Sequence, residues 1–422
     1  MYIPKQPPGT TVEDTAAPFE LFAPQGYYRV GNKIFNHKIY ALKEATRTGI
    51  DPTWHFNEDC FNTFDWQTPL RVPLTELYAQ RAQQLRDKYD YLILWWSGGA
   101  DSTSMLQAFI HNNITLDEVF VGWPVKLTEG KYTPSFDTKV ANFVSEYDLV
   151  IKPGLKWLSD KYPNIKISLV DTSDSVKRKD HNESLFLLTE TFQYLNDQRV
   201  ESIEPIIRER SRGGRSVANI FGISPPELAI TQDILSMQFS DLSISPFGKS
   251  ESLGNDVLRT YENFYTTPDM PEILREMSHA VLDFVTASPR YKNLFDRFEF
   301  NKSGKLINTF ITPYRQQARK ILNTVFHPNY NHNNFQAYKQ NFVIMTSGWW
   351  DIFYKNPAAE EFVEPHRHAA LSELKMISPK YFTFRQPNST DLSHLESFVR
   401  FKTKFYPIGK INAYKERENI CN

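Results

Sequence analysis

Apolar positions along residues 73–123 change period twice, and each change marks an element. Leu74, Leu77, Tyr78, Ala82, Leu85 and Tyr89 recur at helical spacing through "PLTELYAQRAQQLRDKYD", with Pro73 at its start, and predict an amphipathic helix. The six residues that follow, "YLILWW" (91–96), are all apolar or aromatic, the pattern of a strand buried on both faces. A glycine pair ends the run. Met105, Leu106, Phe109 and Ile110 in "ADSTSMLQAFIHNN" then share one helical face, and Asn112 and Asn113 suit a helix end. A second apolar strand, "EVFVGW" (118–123), comes next. Strand, helix and strand within about 30 residues make a βαβ unit.

The alternation continues with helical segments across 138–161, a strand "IKISLVD" (165–171), a helix around 184–196 and a strand "SVANIFGI" (216–223). The predicted fold class is therefore α/β, a doubly wound parallel sheet of Rossmann-like type over 73–245. From about residue 228 the pattern changes: "ELAITQDILSMQFSD" reads as a hairpin, and 246–422 as a mainly helical region with loops such as "HPNYNHNN". Residues 1–72, rich in Pro, Gly, Asn and aromatics with little periodicity, are expected to form an irregular arm or cap. No internal repeat is present.

Length and charge narrow the class. A chain of 422 residues exceeds one ordinary domain, and 14% aromatic residues argue against general disorder. With 48 basic and 49 acidic residues, the balance does not support a broad phosphate-neutralising surface for nucleic acid. Two cysteines, Cys60 and Cys421, exclude a disulfide framework, a CxxC pair and a four-cysteine zinc site. The start "MYIPKQPPGTTVEDTAAPFE" lacks the features of a signal peptide, and no apolar run has the length of a membrane span. A cytoplasmic protein without a membrane partner is expected; its oligomeric state stays open.

The candidate chemistry lies in "SGGADS", between the first strand and its helix. Gly98 and Gly99 let backbone N–H groups approach an anion, and the helix turns its positive end to the same spot. Ser97 and Ser102 add hydroxyls. A phosphate or pyrophosphate is the expected occupant. Asp101 is the informative residue, because a carboxylate beside a polyphosphate needs a bridging Mg²⁺ or an equivalent donor arrangement.

"SGGADS" resembles the SGGxDS signature of the PP-loop ATP pyrophosphatases, the superfamily of asparagine synthetase, GMP synthetase and argininosuccinate synthetase. The stretch "LYAQRAQQLRDKYDYLILWWSGGADS" and the closing "KFYPIG" also resemble phage-encoded PP-loop proteins described as asparagine-synthase-like, which would place the chain in a host cytoplasm. The resemblance implies an enzyme that adenylates an acceptor with Mg·ATP and releases pyrophosphate. It implies that Ser97, Gly98, Gly99, Asp101 and Ser102 hold the pyrophosphate end, with Gly122 and Trp123 near adenine. Asparagine-synthetase-like members carry a second loop, GxGxDE, with a metal-binding Asp. The counterpart here is "GISPPE" (222–227): Gly222 and Glu227 fit, Ser224 replaces the second glycine and Pro226 replaces the Asp. Either Glu227 or Asp171 takes over the metal beside Asp101, or the site binds ATP without turnover, as a nucleotide-binding or phage structural protein would. With no N-terminal Cys, a glutaminase activity within this chain is not expected. A sulfonucleotide-reductase-like reading has Cys421 in its favour, but "NICN" lacks the expected context.

Other features carry competing readings. The arginines of "RERSRGGRS" (Arg208, Arg210, Arg212, Arg215) could oppose departing pyrophosphate or form a solvated basic loop. "FGKS" (247–250) lacks the first glycine of a Walker loop, although Lys249 could still reach phosphate. His366 and His368, with Glu361 and Glu364, lack a third metal ligand at a typical spacing. "VKRKD" (176–180) reads by default as a solvated charge run. Trp95 and Trp96 alternate into the two faces of a strand, or Trp96 stacks on adenine.

Overall fold

A small four-stranded sheet occupies the region expected to be irregular. The computed structural model describes residues 2–15, 17–123, 125–130, 147–173, 203–222, 226–241, 259–287, 322–330, 374–384 and 395–411. Strands β1 (Thr11–Val12), β2 (Tyr27–Val30), β3 (Lys33–Phe35) and β4 (Thr53–His55) lie in the order β1-β3-β2-β4, with helix α1 (Lys38–Thr48) between the last two in sequence. Strands of two to four residues are too short to show a period of two, so the pattern reading missed them. Gly31, at φ +61°, makes the tight β2–β3 turn that a side chain would strain.

This sheet is not a detached arm. Tyr28, Trp54, Phe56 and Phe61 belong to the same apolar core as the central helices and strands. Phe61 stacks on Phe239 at 5.3 Å between centroids. The Asp241 carboxylate accepts the Tyr28 hydroxyl at 2.9 Å and lies 2.7 Å from Lys38 Nζ, burying a charged contact across 200 residues of sequence.

The central layer follows the sequence pattern closely. Helix α2 (Leu74–Lys88) leads into strand β5 (Tyr91–Trp95), helix α3 (Ala100–Ile110) and strand β6 (Glu118–Trp123). Helix α4 (Lys152–Lys161), strand β7 (Lys166–Asp171), a helical stretch across 203–210 and strand β8 (Val217–Phe221) come next. The strands pair in parallel in the order β11-β8-β5-β6-β7, where β11 (Tyr261–Asn263) is a short edge strand. The sheet therefore runs past residue 245, where its expected range ended. Alternation holds along every strand. Leu92, Leu94, Val119, Val121, Ala218 and Ile220 face α2, α3 and α4 in one core cluster, whereas Ile93, Phe120, Val217 and Phe221 meet Ile203 and Ile207 in another. The two tryptophans split between these faces as the alternation predicts: Trp95 packs on Phe120 and Phe221, and Trp96 belongs to the first cluster.

The hairpin expected near 228 forms from β9 (Glu227–Thr231) and β10 (Ile234–Gln238). Its two turn residues, Gln232 and Asp233, have φ of +51° and +62°, as a two-residue hairpin turn of matching twist requires. Among the described residues beyond 246, helix and strand both occur. Helix α5 (Glu272–Ala287) is accompanied by β11, β12 (Phe382–Phe384), β13 (Leu395–Phe398) and β14 (Tyr406–Lys410). Strand β14 closes on β10 from 170 residues away in sequence, a pairing that local pattern cannot reveal. The helix expected around 184–196, "VKRKD", "FGKS" and the His366/His368 segment lie outside the described residues.

Candidate functional site

The "SGGADS" turn leaves the carboxyl end of β5, between that strand and α3. Its neighbours in the sheet are β6 on one side and β8 on the other, and the chain visits them in different directions: β6 follows β5 in sequence, and β8 comes only after β7. The crevice between the ends of β5 and β8 is thus the place where strand order reverses. Gly222, directly after β8, closes this crevice from below. A Cβ on Gly222 would lie 3.2 Å from the carbonyl carbon and oxygen of Asp101 and 3.3 Å from Ser102 N. The glycine of the second loop is therefore there for close backbone approach to the first.

Inside the turn, short-range hydrogen bonds set the shape. Ser97 N donates to Ser102 Oγ at 3.1 Å, and the two hydroxyls lie 3.2 Å apart. Thr103 N donates to Gly99 O at 2.9 Å, the first bond of α3, which leaves the amides before it aimed out of the helix end. Gly98 adopts φ +74°. Ser97 is exposed, Gly99 is half-buried, and Gly98 and Ser102 are buried, so the turn presents an open lip above a packed floor.

Three side chains from distant segments complete the surroundings. Tyr265 donates its hydroxyl to Asp101 O at 2.6 Å. Tyr330 donates to Gly98 O at 3.5 Å. His327, fully buried, places Nε2 at 2.9 Å from Asp101 Oδ1; since a carboxylate only accepts, Nε2 is the donor. Part of the donor arrangement that Asp101 calls for is therefore supplied by protein. Sequence reasoning missed all three residues. His327 sits in "HPNYNHNN", which reads as a loop, and nothing in its spacing ties it to an acid 226 positions earlier.

The other expected site residues divide. Gly122 and Trp123 stand at the end of β6, and Trp123 is 3% exposed and packs in the core. Trp96 is also core: its indole N–H bonds Thr103 Oγ1 at 3.2 Å, and its ring occupies the space a Cβ on Gly154 would need, at 2.2 Å. The idea of Trp96 stacking on adenine is corrected by this packing.

The three acids named for the metal hold different partners. Glu227, the first residue of β9, has its carboxylate 2.6 Å from Lys402 Nζ. Asp171 ends β7 and accepts from Ser173 N at 3.0 Å and Ser173 Oγ at 2.5 Å, with Lys126 Nζ at 3.6 Å. Burial pushes the Asp171 carboxyl up, but these hydrogen bonds and the lysine charge outweigh it and hold the group below its usual range. Among the described residues no group of three or more His, Cys, Asp or Glu side chains is arranged to hold a metal ion.

In the arginine-rich loop Arg208, Arg212 and Arg215 are exposed, and Arg210 alone is buried. Arg210 Nε donates to the fully buried Glu118 at 2.8 Å, and Arg215 lies over the Tyr91 ring at 5.4 Å. Glu118 and Tyr91 begin β6 and β5, so these arginines sit at the amino ends of the strands, a strand's length from the SGGADS turn. Arg210 neutralises a buried acid. Arg208 pairs with Glu204.

Among the described residues no helix is long and apolar enough to cross a membrane. Comparisons with protein-family models, with curated proteins and with solved structures returned no match for the chain. The mixed α/β architecture, with its five-stranded parallel sheet, therefore stands on the geometry alone.

Proposed function

We propose that residues 97–102 cradle the polyphosphate of ATP, and that the protein is a PP-loop-type enzyme that adenylates an acceptor and releases pyrophosphate. The observation that carries the reading is the place of the turn: a Gly-containing strand-to-helix loop at the crevice where strand order reverses. Counted from β7, the sheet runs third, second, first, fourth and fifth in chain order, which fits a doubly wound Rossmann-like sheet, and such sheets take nucleotides at that crevice.

In this reading the amides at the start of α3 and the hydroxyls of Ser97 and Ser102 hold the β and γ phosphates. An acceptor oxygen attacks the α-phosphorus, the bond to the bridging oxygen breaks, and pyrophosphate leaves with that electron pair. Fixed dipoles aimed at the departing group lower the barrier because they need no reorientation. The residues fit a nucleotide with one magnesium-binding carboxylate, that of Asp101, since Mg²⁺ commonly takes one or two carboxylates and completes its shell with phosphate oxygens and water. His327 fixes the Asp101 rotamer for that role. Mg²⁺ there would neutralise charge on the pyrophosphate. Glu227 and Asp171 would first have to release Lys402 and Ser173.

Incubation with α-labelled ATP, Mg²⁺ and candidate acceptors is expected to give AMP and pyrophosphate; ADP and phosphate as products would overturn the chemistry. Asp101→Ala is expected to weaken Mg·ATP binding by about tenfold, roughly 1.4 kcal/mol. Free ATP should lose less, because the substitution also removes a negative charge beside the phosphates. Equal losses by calorimetry would contradict the metal role.

The separate partners of the three acids favour a second reading, a protein that binds nucleotide without turning it over. ATP affinity unchanged in EDTA, with no product formed, decides for it.

A further inference from the structure

A cleft of about 360 Å³ opens between the first turn of α2 and the outer face of α3, floored by Pro328 and Asn329. It is distinct from the SGGADS turn, and none of its lining residues enters the nucleotide reading. At its inner end lie Ser104 and Gln107. Ser104 is 5% exposed, and its Oγ has no hydrogen-bond partner; Gln107 Oε1 is buried and likewise without one. The orientation of the Gln107 amide is set by its Nε2, which donates to Asn329 O at 3.1 Å, so the oxygen is the atom left over. Leaving such groups buried and unsatisfied costs about 1–3 kcal/mol each. Two of them lining one cleft indicate that a donor belongs there.

The remaining lining specifies the donor further. Glu76, exposed at the rim, brings a carboxylate, and among the described lining residues no Lys or Arg opposes it. Tyr78, Ala79, Ala108 and Pro328 offer apolar walls. The volume lies within the range of small-molecule sites, about 300–1,000 Å³. We infer that this cleft binds a protonated primary amine with a small apolar body: the ammonium faces Gln107 Oε1 and Ser104 Oγ, with Glu76 as counter-charge, and the body lies on the apolar walls.

The floor of the cleft also touches the turn. Asn329 accepts from Gln107, and its neighbours His327 and Tyr330 hold Asp101 and Gly98. Resting on the nucleotide reading, amine and ATP affinities are therefore linked through 327–330, by one factor in both directions.

Calorimetry of the full chain with n-butylammonium and phenethylammonium, without nucleotide, tests the cleft. Saturable binding is expected, weaker by about tenfold or more in Glu76→Gln, in Gln107→Leu and for the neutral isostere n-butanol on the wild type. Glu76 is exposed, so its variant keeps the test valid even if Gln107→Leu disturbs packing. The inference is overturned by no saturable heat up to about 10 mM amine, or by equal affinities for amine and alcohol, either of which marks a water-filled cleft only. Amine binding in a protein that fails to bind ATP would remove the nucleotide reading and leave the cleft standing; the reverse result removes the cleft alone.

Discussion

Gly98→Ala is expected to lower the unfolding free energy by about 2–5 kcal/mol and, on the proposed reading, to abolish ATP binding. Two independent costs add. The residue sits at φ +74°, where a Cβ meets the following carbonyl, a penalty of about 1–2 kcal/mol. The same Cβ would also lie 2.2 Å from Val150 Cγ1, which forces either the loop or the valine to move, at about 1–3 kcal/mol. Movement of the loop is the functional part of the effect, because the amides proposed to face the ATP phosphates are carried by the peptides on either side. Chemical denaturation followed by tryptophan fluorescence and equilibrium dialysis with ATP read the two parts separately. Adding Val150→Ala should recover the steric share of stability and leave the backbone share. A loss below about 0.5 kcal/mol in Gly98→Ala, the scale of an ordinary surface change, would show that the turn does not have this conformation.

The second large effect lies at the edge of the sheet. Arg81, fully buried on α2, donates through Nη2 to Glu262 Oε2 and to Asn263 O, both at 2.8 Å, and through Nη1 to Gln84. Glu262, on β11, also meets Lys88 and Tyr89. Burial pushes the Glu262 carboxyl up, yet the charges of Arg81 and Lys88 and the Tyr89 hydroxyl pull harder, and the net position is below the ordinary 4.5. A folded-state value below the unfolded one means that the stabilisation is present above pH 4.5 and is lost as pH falls through the lower folded value.

Arg81→Met keeps the volume and removes the donors, stranding a buried carboxylate. Breaking such a pair costs about 3–5 kcal/mol, and Lys88 places the expected loss at the lower end. The loss carries a pH signature. With Arg81 gone, burial is less opposed and the Glu262 carboxyl rises, so the deficit should be largest at neutral pH and shrink toward about pH 4 as the group takes up a proton in the folded state. Glu262→Gln in the same background should restore part of the stability at neutral pH. A deficit that does not vary with pH would show that Arg81 acts through packing and not through the carboxylate.

How far the sequence was legible can be judged from particular elements. The central βαβ unit was read within a residue or two, because Leu92 to Leu94 and Val119 to Val121 are buried on both faces and leave an unbroken apolar run. The SGGADS turn was legible because glycine and a helix start are local requirements of its geometry. The N-terminal sheet was not, since its short strands carry no period. The pairing of β14 with β10 was not legible, because it is a contact of long sequence separation. Arg210 read as either a pyrophosphate contact or part of a solvated basic loop, and only the burial of Glu118 shows what it neutralises.

The sequence by itself determined the parallel sheet's central strands, the strand-to-helix turn and the residues of that turn, because each follows from hydrophobic period and backbone sterics acting over a few positions. Tertiary structure alone decided which groups surround the turn. His327, Tyr330 and Tyr265 reach Asp101 and Gly98 from segments more than 160 residues away, while Glu227 and Asp171, expected there, are held by Lys402 and Ser173. Side-chain partners depend on where distant backbones end up, and no local pattern encodes that.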